Sequence, residues 1–111
     1  MLCERQAVCD ALALSRWQSY QFFPASKTGF INEDSVLKLV NSRLKGLPHS
    51  FTFLPQLVSP EALSEATGAP VRKIKLWTHR KRQPIPHVHF NPHVLRFPLD
   101  AATAWLEEFS R

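Results

Sequence analysis

The stretch "RKIKLWTHRKRQPIPHVHFNPHVLRF", Arg72 to Phe97, holds six lysines or arginines before Pro84, three histidines after it, and no acid. It could be a histidine metal site, a flexible basic tail, or one continuous surface that reads nucleic acid. Periodicity separates these. With successive residues 100° apart, Val71, Ile74, Trp77 and Thr78 fall in one arc, while Arg72, Lys73, Lys75, His79 and Arg80 occupy the other. The stretch therefore begins as an amphipathic helix with a basic outer face, starting near Pro70 and running to about Arg80. Leu76 lies in the middle of the polar arc and is expected to pack beneath the segment that follows rather than to touch a thymine methyl.

The period then changes. Pro84 and Pro86 exclude helix, "HVHF" alternates, "NP" is a turn signal and "VLRF" can return as a second strand, so a β-hairpin is expected. Upstream, "SPEALSEATG" places Ser59 as an N-cap, Pro60 at the first helical position, Glu61 in the first turn and Gly68 as the stop. Downstream, "PLDAATAWLEEFSR" reads as a closing helix with Asp100 near its start and Trp105, Leu106 and Phe109 buried. Helix, tight turn, basic helix, hairpin, helix is the order of a winged helix-turn-helix, mainly α with a small β-wing. Its second helix can enter a major groove, about 12 Å wide, while the hairpin reaches phosphate or the minor groove.

Charge supports a polyanionic partner. The 111 residues carry 14 Lys and Arg against 9 acids, for a net charge of +5. Seven of those cations, and no acid, lie between Val71 and Phe97, so the rest of the chain is slightly acidic. A single basic patch implies a defined footprint rather than general solubility. With 44% hydrophobic residues, including eight Phe and three Trp, the chain can build a core and is not globally disordered. Its length suits one ordinary domain or two very small ones.

Cys3 and Cys9 have neither zinc-type nor redox-type spacing and read as reduced structural residues. The start "MLCERQAVCDALALS" lacks the basic region and apolar run of a signal peptide, and no stretch approaches the roughly 20 apolar residues of a membrane span. A cytoplasmic protein without a membrane partner is expected. Catalysis finds no support: there are no paired carboxylates in separated environments, no serine or cysteine with a credible base, and no phosphate-cradling loop in a chain with 3 Gly. Neither an enzyme nor a cofactor is expected.

The first half looks like a degenerate copy of the second. A shift of 55 sets Val8 on Leu63, Ala11 on Ala66, Leu14 on Ala69 and Phe22 on Trp77; a shift of 66 sets Ile31 on Phe97, Asp34 on Asp100, Leu39 on Trp105 and Val40 on Leu106. The jump in offset means that the first copy keeps only a reduced wing, "PASKTGF". The expected organisation is a winged-helix-like unit over residues 1–43, a linker over 44–56 with one short strand at "FTFL", and the full unit over 57–111. With the 55-residue offset, Trp17 and Tyr20 point outward, beside Arg16, Gln18 and Gln21. With an offset of 54, Trp17, Tyr20 and Phe23 form the core stripe. An outward aromatic pair suggests a protein contact, and Gln18, Gln21 and Lys27 keep a second DNA contact open.

The segment "LVSPEALSEATGAPVRKIKLWTHRKRQPIPHVHFNPHVLRFPLDAATAWLEEF", Leu57 to Phe109, resembles the excisionase-type helix-turn-helix family of phages and integrative elements, and is distantly similar to the MerR-type winged helix. The capped helix closed by Gly68, the Ile74 and Trp77 spacing, "IPHV" opening the wing, "VLRF" closing it and "LDAATAWL" carry the likeness. It implies a bacterial, nucleoid-associated protein that binds double-stranded DNA, self-associates on it, and partners an integrase or recombinase or the transcription machinery. The implied role is recombination directionality factor (excisionase) or transcriptional regulator. The wing tip departs from the family, with Asn91, Pro92 and His93 where members carry glycine and arginines.

On this reading Arg72, Lys73 and Lys75 face DNA, His79 lies on the same arc, and Arg80, Lys81 and Arg82 complete the phosphate contacts at the helix end and wing base. Arg72 can bond two acceptors on a guanine edge, whereas the lysines neutralise phosphate. His87 and His89 share one strand face and His93 can approach them, which makes a three-nitrogen zinc site conceivable. With no fourth ligand and no supporting carboxylate nearby, phosphate contact by the three histidines and Arg96 is favoured, and no metal is expected. The alternative from another class is an adaptor that binds a recombinase or regulator without reading DNA; a terminase-like packaging subunit is a third.

Overall fold

The computed structural model describes residues 2–24 and 29–109. Its element order is β1 (Leu2–Glu4), α1 (Arg5–Leu12), α2 (Arg16–Phe22), β2 (Phe30–Asn32), α3 (Glu33–Arg43), β3 (Leu44–Lys45), β4 (Leu57–Val58), α4 (Pro60–Thr67), α5 (Val71–Trp77), β5 (His87–Asn91), β6 (Val94–Pro98) and α6 (Leu99–Phe109). Among the described residues the chain is thus mixed α/β, with six helices, a two-stranded sheet β1-β2 and a four-stranded sheet ordered β3-β5-β6-β4.

Local chemistry sets the boundaries of α4 and α5. The Ser59 hydroxyl accepts the Ala62 N–H at 3.1 Å, Pro60 opens α4, and Gly68 closes it in the left-handed region at φ 79°. Pro70 then caps α5. This helix is shorter than the expected run to Arg80. The amides of Thr78, His79 and Arg80 bond the carbonyls three residues back, at 3.3, 3.1 and 3.4 Å, so the last turn tightens and stops. Gln83, at φ 48°, and the prolines at 84 and 86 then commit the chain to an extended path.

The hairpin forms where the alternation predicts, but its setting differs. Val88 pairs with Arg96 and Asn91 with Val94, closing over Pro92 and His93. Its two outer edges are covered: Leu44 and Lys45 pair with Val88 and His87, and Leu57 and Val58 pair with Pro98 and Phe97. The expected strand at "FTFL" is absent, and the strands of this segment lie at its two ends. Phe51 is held instead by Asn41, whose side chain both donates to its carbonyl at 3.0 Å and accepts its N–H at 2.8 Å.

The sheet joins two apolar clusters. Leu63, Ile74, Ile85, Phe97, Ala102, Trp105 and Leu106 form one, from α4, α5, α6 and the base of the hairpin. Val88, Phe90 and Val94 belong to the other, with Val8, Leu12, Val36, Val40 and Leu57. The hairpin is therefore shared, and Arg96 ties it to the first half by donating through Nε to the Ala13 carbonyl at 2.8 Å.

Adding 55 to the bounds of α1 and α2 gives those of α4 and α5, and adding 66 to α3 gives α6. Strand register follows the same shifts: Leu2 opposite Asn32 and Cys3 opposite Ile31 become Leu57 opposite Pro98 and Val58 opposite Phe97. Even the left-handed cap at Gly68 has a counterpart in Ala13, at φ 55°. The shortened connection "PASKTGF" contains residues 25–28, which lie outside the described residues, as does the candidate contact Lys27.

Candidate nucleic-acid interface

One face of α5 seals the core and the other is open to solvent. Ile74 is fully buried, and Trp77 packs on Trp105 with ring centroids 5.6 Å apart. Opposite them, Arg72, Lys73, Lys75, Leu76 and His79 line one shallow concavity, and all five are exposed. Leu76 does not pack beneath the hairpin as the sequence suggested: it is 65% exposed. The hairpin meets the buried side of α5, where Phe97 and Ile74 share one apolar cluster, whereas Leu76 is on the exposed side.

The cations that follow are presented by a pinned turn. The Trp105 indole N–H donates to the Gln83 carbonyl at 3.0 Å, which anchors the segment carrying Lys81 and Arg82, both exposed. Arg80 lays its guanidinium 5.4 Å from the Trp105 ring and 5.6 Å from that of Phe109. This contact orients Arg80 along α6 and leaves its charge at the surface.

The hairpin residues divide. His93 is exposed at the tip, its N–H bonded to the Asn91 side chain at 2.7 Å, and His89 is half-buried. His87 is only 3% exposed. Its Nδ1–H donates to the Ile85 carbonyl at 2.7 Å, which fixes the neutral tautomer. Burial pulls its pKa below the usual imidazole range; the Ile85 bond opposes this, and the neighbouring His89, Lys45 and His79 reinforce it. Arg96 is half-buried and spends Nε on Ala13 and one terminal nitrogen on the Leu95 carbonyl at 2.7 Å. Desolvation lowers its pKa as well. His87 is thus withdrawn from the candidate surface and Arg96 partly so, because the first half packs on the hairpin, with Ala13 bonded to Arg96. Among the described residues no three His, Cys, Asp or Glu side chains converge as a metal site would require.

In the first half, Trp17 is 79% and Tyr20 44% exposed, which settles the offset at 55. Trp17, Gln18, Tyr20 and Gln21 of α2 stand where Arg72, Lys73, Lys75 and Leu76 stand in α5. Gln18 is partly committed: its side chain accepts the Ser15 N–H at 2.9 Å, while the Ser15 hydroxyl accepts the Gln18 N–H. Arg16 reaches the Gln6 side chain at 3.3 Å, and Gln21 is exposed.

Two residues were missed. Arg5 is 1% exposed, donating to the Ser19 hydroxyl at 3.2 Å and the Phe23 carbonyl at 2.7 Å, with its guanidinium 4.0 Å from the Tyr20 ring centroid. It fills the space left because Ser19 is small where its counterpart Ile74 is large. Nothing in the sequence marks an arginine as buried. Lys45 is exposed on β3 in register with His87, and adds a cation beside the hairpin; the end of "SRLK" carried that charge, but pairing with the hairpin was needed to place it.

Compared with family models, curated proteins and solved structures, the chain finds no match. Among the described residues no helix is long and apolar enough to cross a membrane.

Proposed function

We propose that this protein binds double-stranded DNA through α5, in the manner of a winged helix-turn-helix, as an accessory or regulatory protein of a mobile genetic element. α4 and α5 act as the helix-turn-helix pair, Arg72 contacts a base edge, and Lys73, Lys75, Lys81 and Arg82 contact phosphate. One observation carries the reading: Arg72, Lys73 and Lys75 are all exposed on a helix whose reverse face, at Ile74, is completely buried. That arrangement leaves the cations with no structural task in the fold and gives them a common direction. The biological role, recombination directionality factor or transcriptional regulator, rests on the sequence resemblance alone.

A second reading is favoured by Trp17, whose exposure on α2 suits a protein-binding adaptor. Salt separates the two. Neutralising several phosphates makes the logarithm of duplex affinity fall with that of salt by about 0.9 per contact, whereas an adaptor shows no such dependence. Recovery of bound genomic fragments then divides the roles: sites clustered at an integrase attachment region indicate directionality control, and sites at promoters indicate regulation.

A further inference from the structure

An exposed leucine is ordinary on a protein surface, but Leu76 is not in ordinary company. It shares its concavity with Arg72, Lys73, Lys75 and His79, and between residues 71 and 97 there is no acid. Arg72, Leu76 and His79 follow the spacing i, i+4, i+7, so Leu76 lies on the same line of the helix as the arginine one turn before it. The fold does not require an apolar side chain there. The same position of α2 is held by Gln21, which is also exposed, on a helix of the same length in the same frame.

Against a phosphate backbone Leu76 has nothing to offer, since it neither donates nor accepts a hydrogen bond. Base edges in the major groove present one apolar group, the C5-methyl of thymine. We propose that Leu76 reads a thymine, covering that methyl with its isobutyl side chain while Arg72, Lys73 and Lys75 hold the duplex against α5. The inference rests on the DNA-binding reading above and adds a base identity to it. Spacing locates the base: one helical turn advances about 5.4 Å and one base pair about 3.4 Å, so the thymine lies one or two base pairs from the pair contacted by Arg72.

The test uses the full chain and a site selected from random duplexes. Each thymine of that site is replaced singly by deoxyuridine, which deletes the methyl and leaves every hydrogen-bonding group in place, and affinity is measured by fluorescence anisotropy at constant salt. Wild type is expected to lose about fourfold at one position, the value of one buried methyl group. Leu76→Ala is expected to bind the thymine and deoxyuridine duplexes equally there. Leu76→Gln, carrying the residue that α2 already accommodates, guards against a folding defect and should give the same equality. If no thymine shows methyl dependence, or if Leu76→Ala retains it, the inference is overturned while DNA binding stands. Unchanged affinity of Leu76→Ala for every duplex also overturns it and points to a protein surface as the partner of Leu76. If wild type binds duplex without salt dependence, the DNA reading falls together with it.

Discussion

α2 and α5 occupy the same place in the two halves of the chain, seven residues each, yet their outward positions differ completely: Trp17, Gln18, Tyr20 and Gln21 on one, Arg72, Lys73, Lys75 and Leu76 on the other. Their inward positions differ too. Ile74 fills its site alone, whereas Ser19 is small and the volume is completed by the side chain of Arg5. Helix bounds, the left-handed cap at Ala13 and Gly68, and strand register have stayed fixed while both faces changed. A backbone frame held by a few apolar anchors and turn residues can thus carry a cationic surface in one copy and an aromatic one in the other.

The comparison breaks most readily at the anchors. Ile74→Ala is expected to cost about 2–5 kcal/mol of stability in urea denaturation, as for other buried isoleucines. Ser19→Ala removes the bond from Arg5, whose guanidinium keeps its bond to the Phe23 carbonyl, and the bond that the hydroxyl donates to the Arg16 carbonyl, and should cost about 1–2 kcal/mol. Equal losses would mean that the two helices are seated alike, contrary to the account. At the outward faces, Arg72→Ala should weaken binding to the selected duplex by about 1–3 kcal/mol and binding to scrambled duplex much less, as expected for contact with a base edge. Equal loss on both would reduce Arg72 to a phosphate contact.

The hairpin, full only in the second half, brings a pH dependence. His87 is buried neutral with a lowered pKa, so below about pH 6.5 the unfolded chain takes up a proton that the folded chain resists. His87 then binds more protons unfolded than folded. Its contribution to stability is complete above that pH and is lost as pH falls below it, by at most about 1.4 kcal/mol per pH unit. Denaturation at pH 7.5 and 5.5 should show this difference, and His87→Gln should reduce it; an unchanged difference would assign the effect to other groups. The smallest effect is expected at Trp17→Ala, which should alter stability and duplex affinity by no more than about 0.5 kcal/mol. A larger loss of duplex affinity would give α2 a share in DNA binding.

How much of this was legible beforehand depends on the range of the interaction. The cap at Ser59, the stop at Gly68, the period of α5 and the Asn91–Val94 closure are local chemistry, and the sequence displays them. The doubled architecture was visible through the Val8/Leu63 and Ile31/Phe97 matches. What could not be read were contacts made across the chain. Leu44 and Leu57 become strands only because the hairpin edges are there to be paired, and His87 and Arg96 turn inward only because the first half packs on β5 and β6. The candidate surface on α5 was legible because amphipathic spacing fixes which way Arg72, Lys73 and Lys75 point. Its hairpin portion was not, since alternation says which residues share a face but not what covers it.

The claim on which the rest depends is that α5, and not α2, carries the charge that meets DNA. The most direct measurement is the salt dependence of duplex affinity for wild type, for Arg72→Gln/Lys73→Gln/Lys75→Gln and for Trp17→Ala/Tyr20→Ala. Removal of the two phosphate contacts Lys73 and Lys75 together with the base-edge contact Arg72 should make the slope of log affinity against log salt shallower by about 2, and the aromatic variant should keep the wild-type slope. A triple variant that retains the full slope, or an aromatic variant that loses it, would contradict the account.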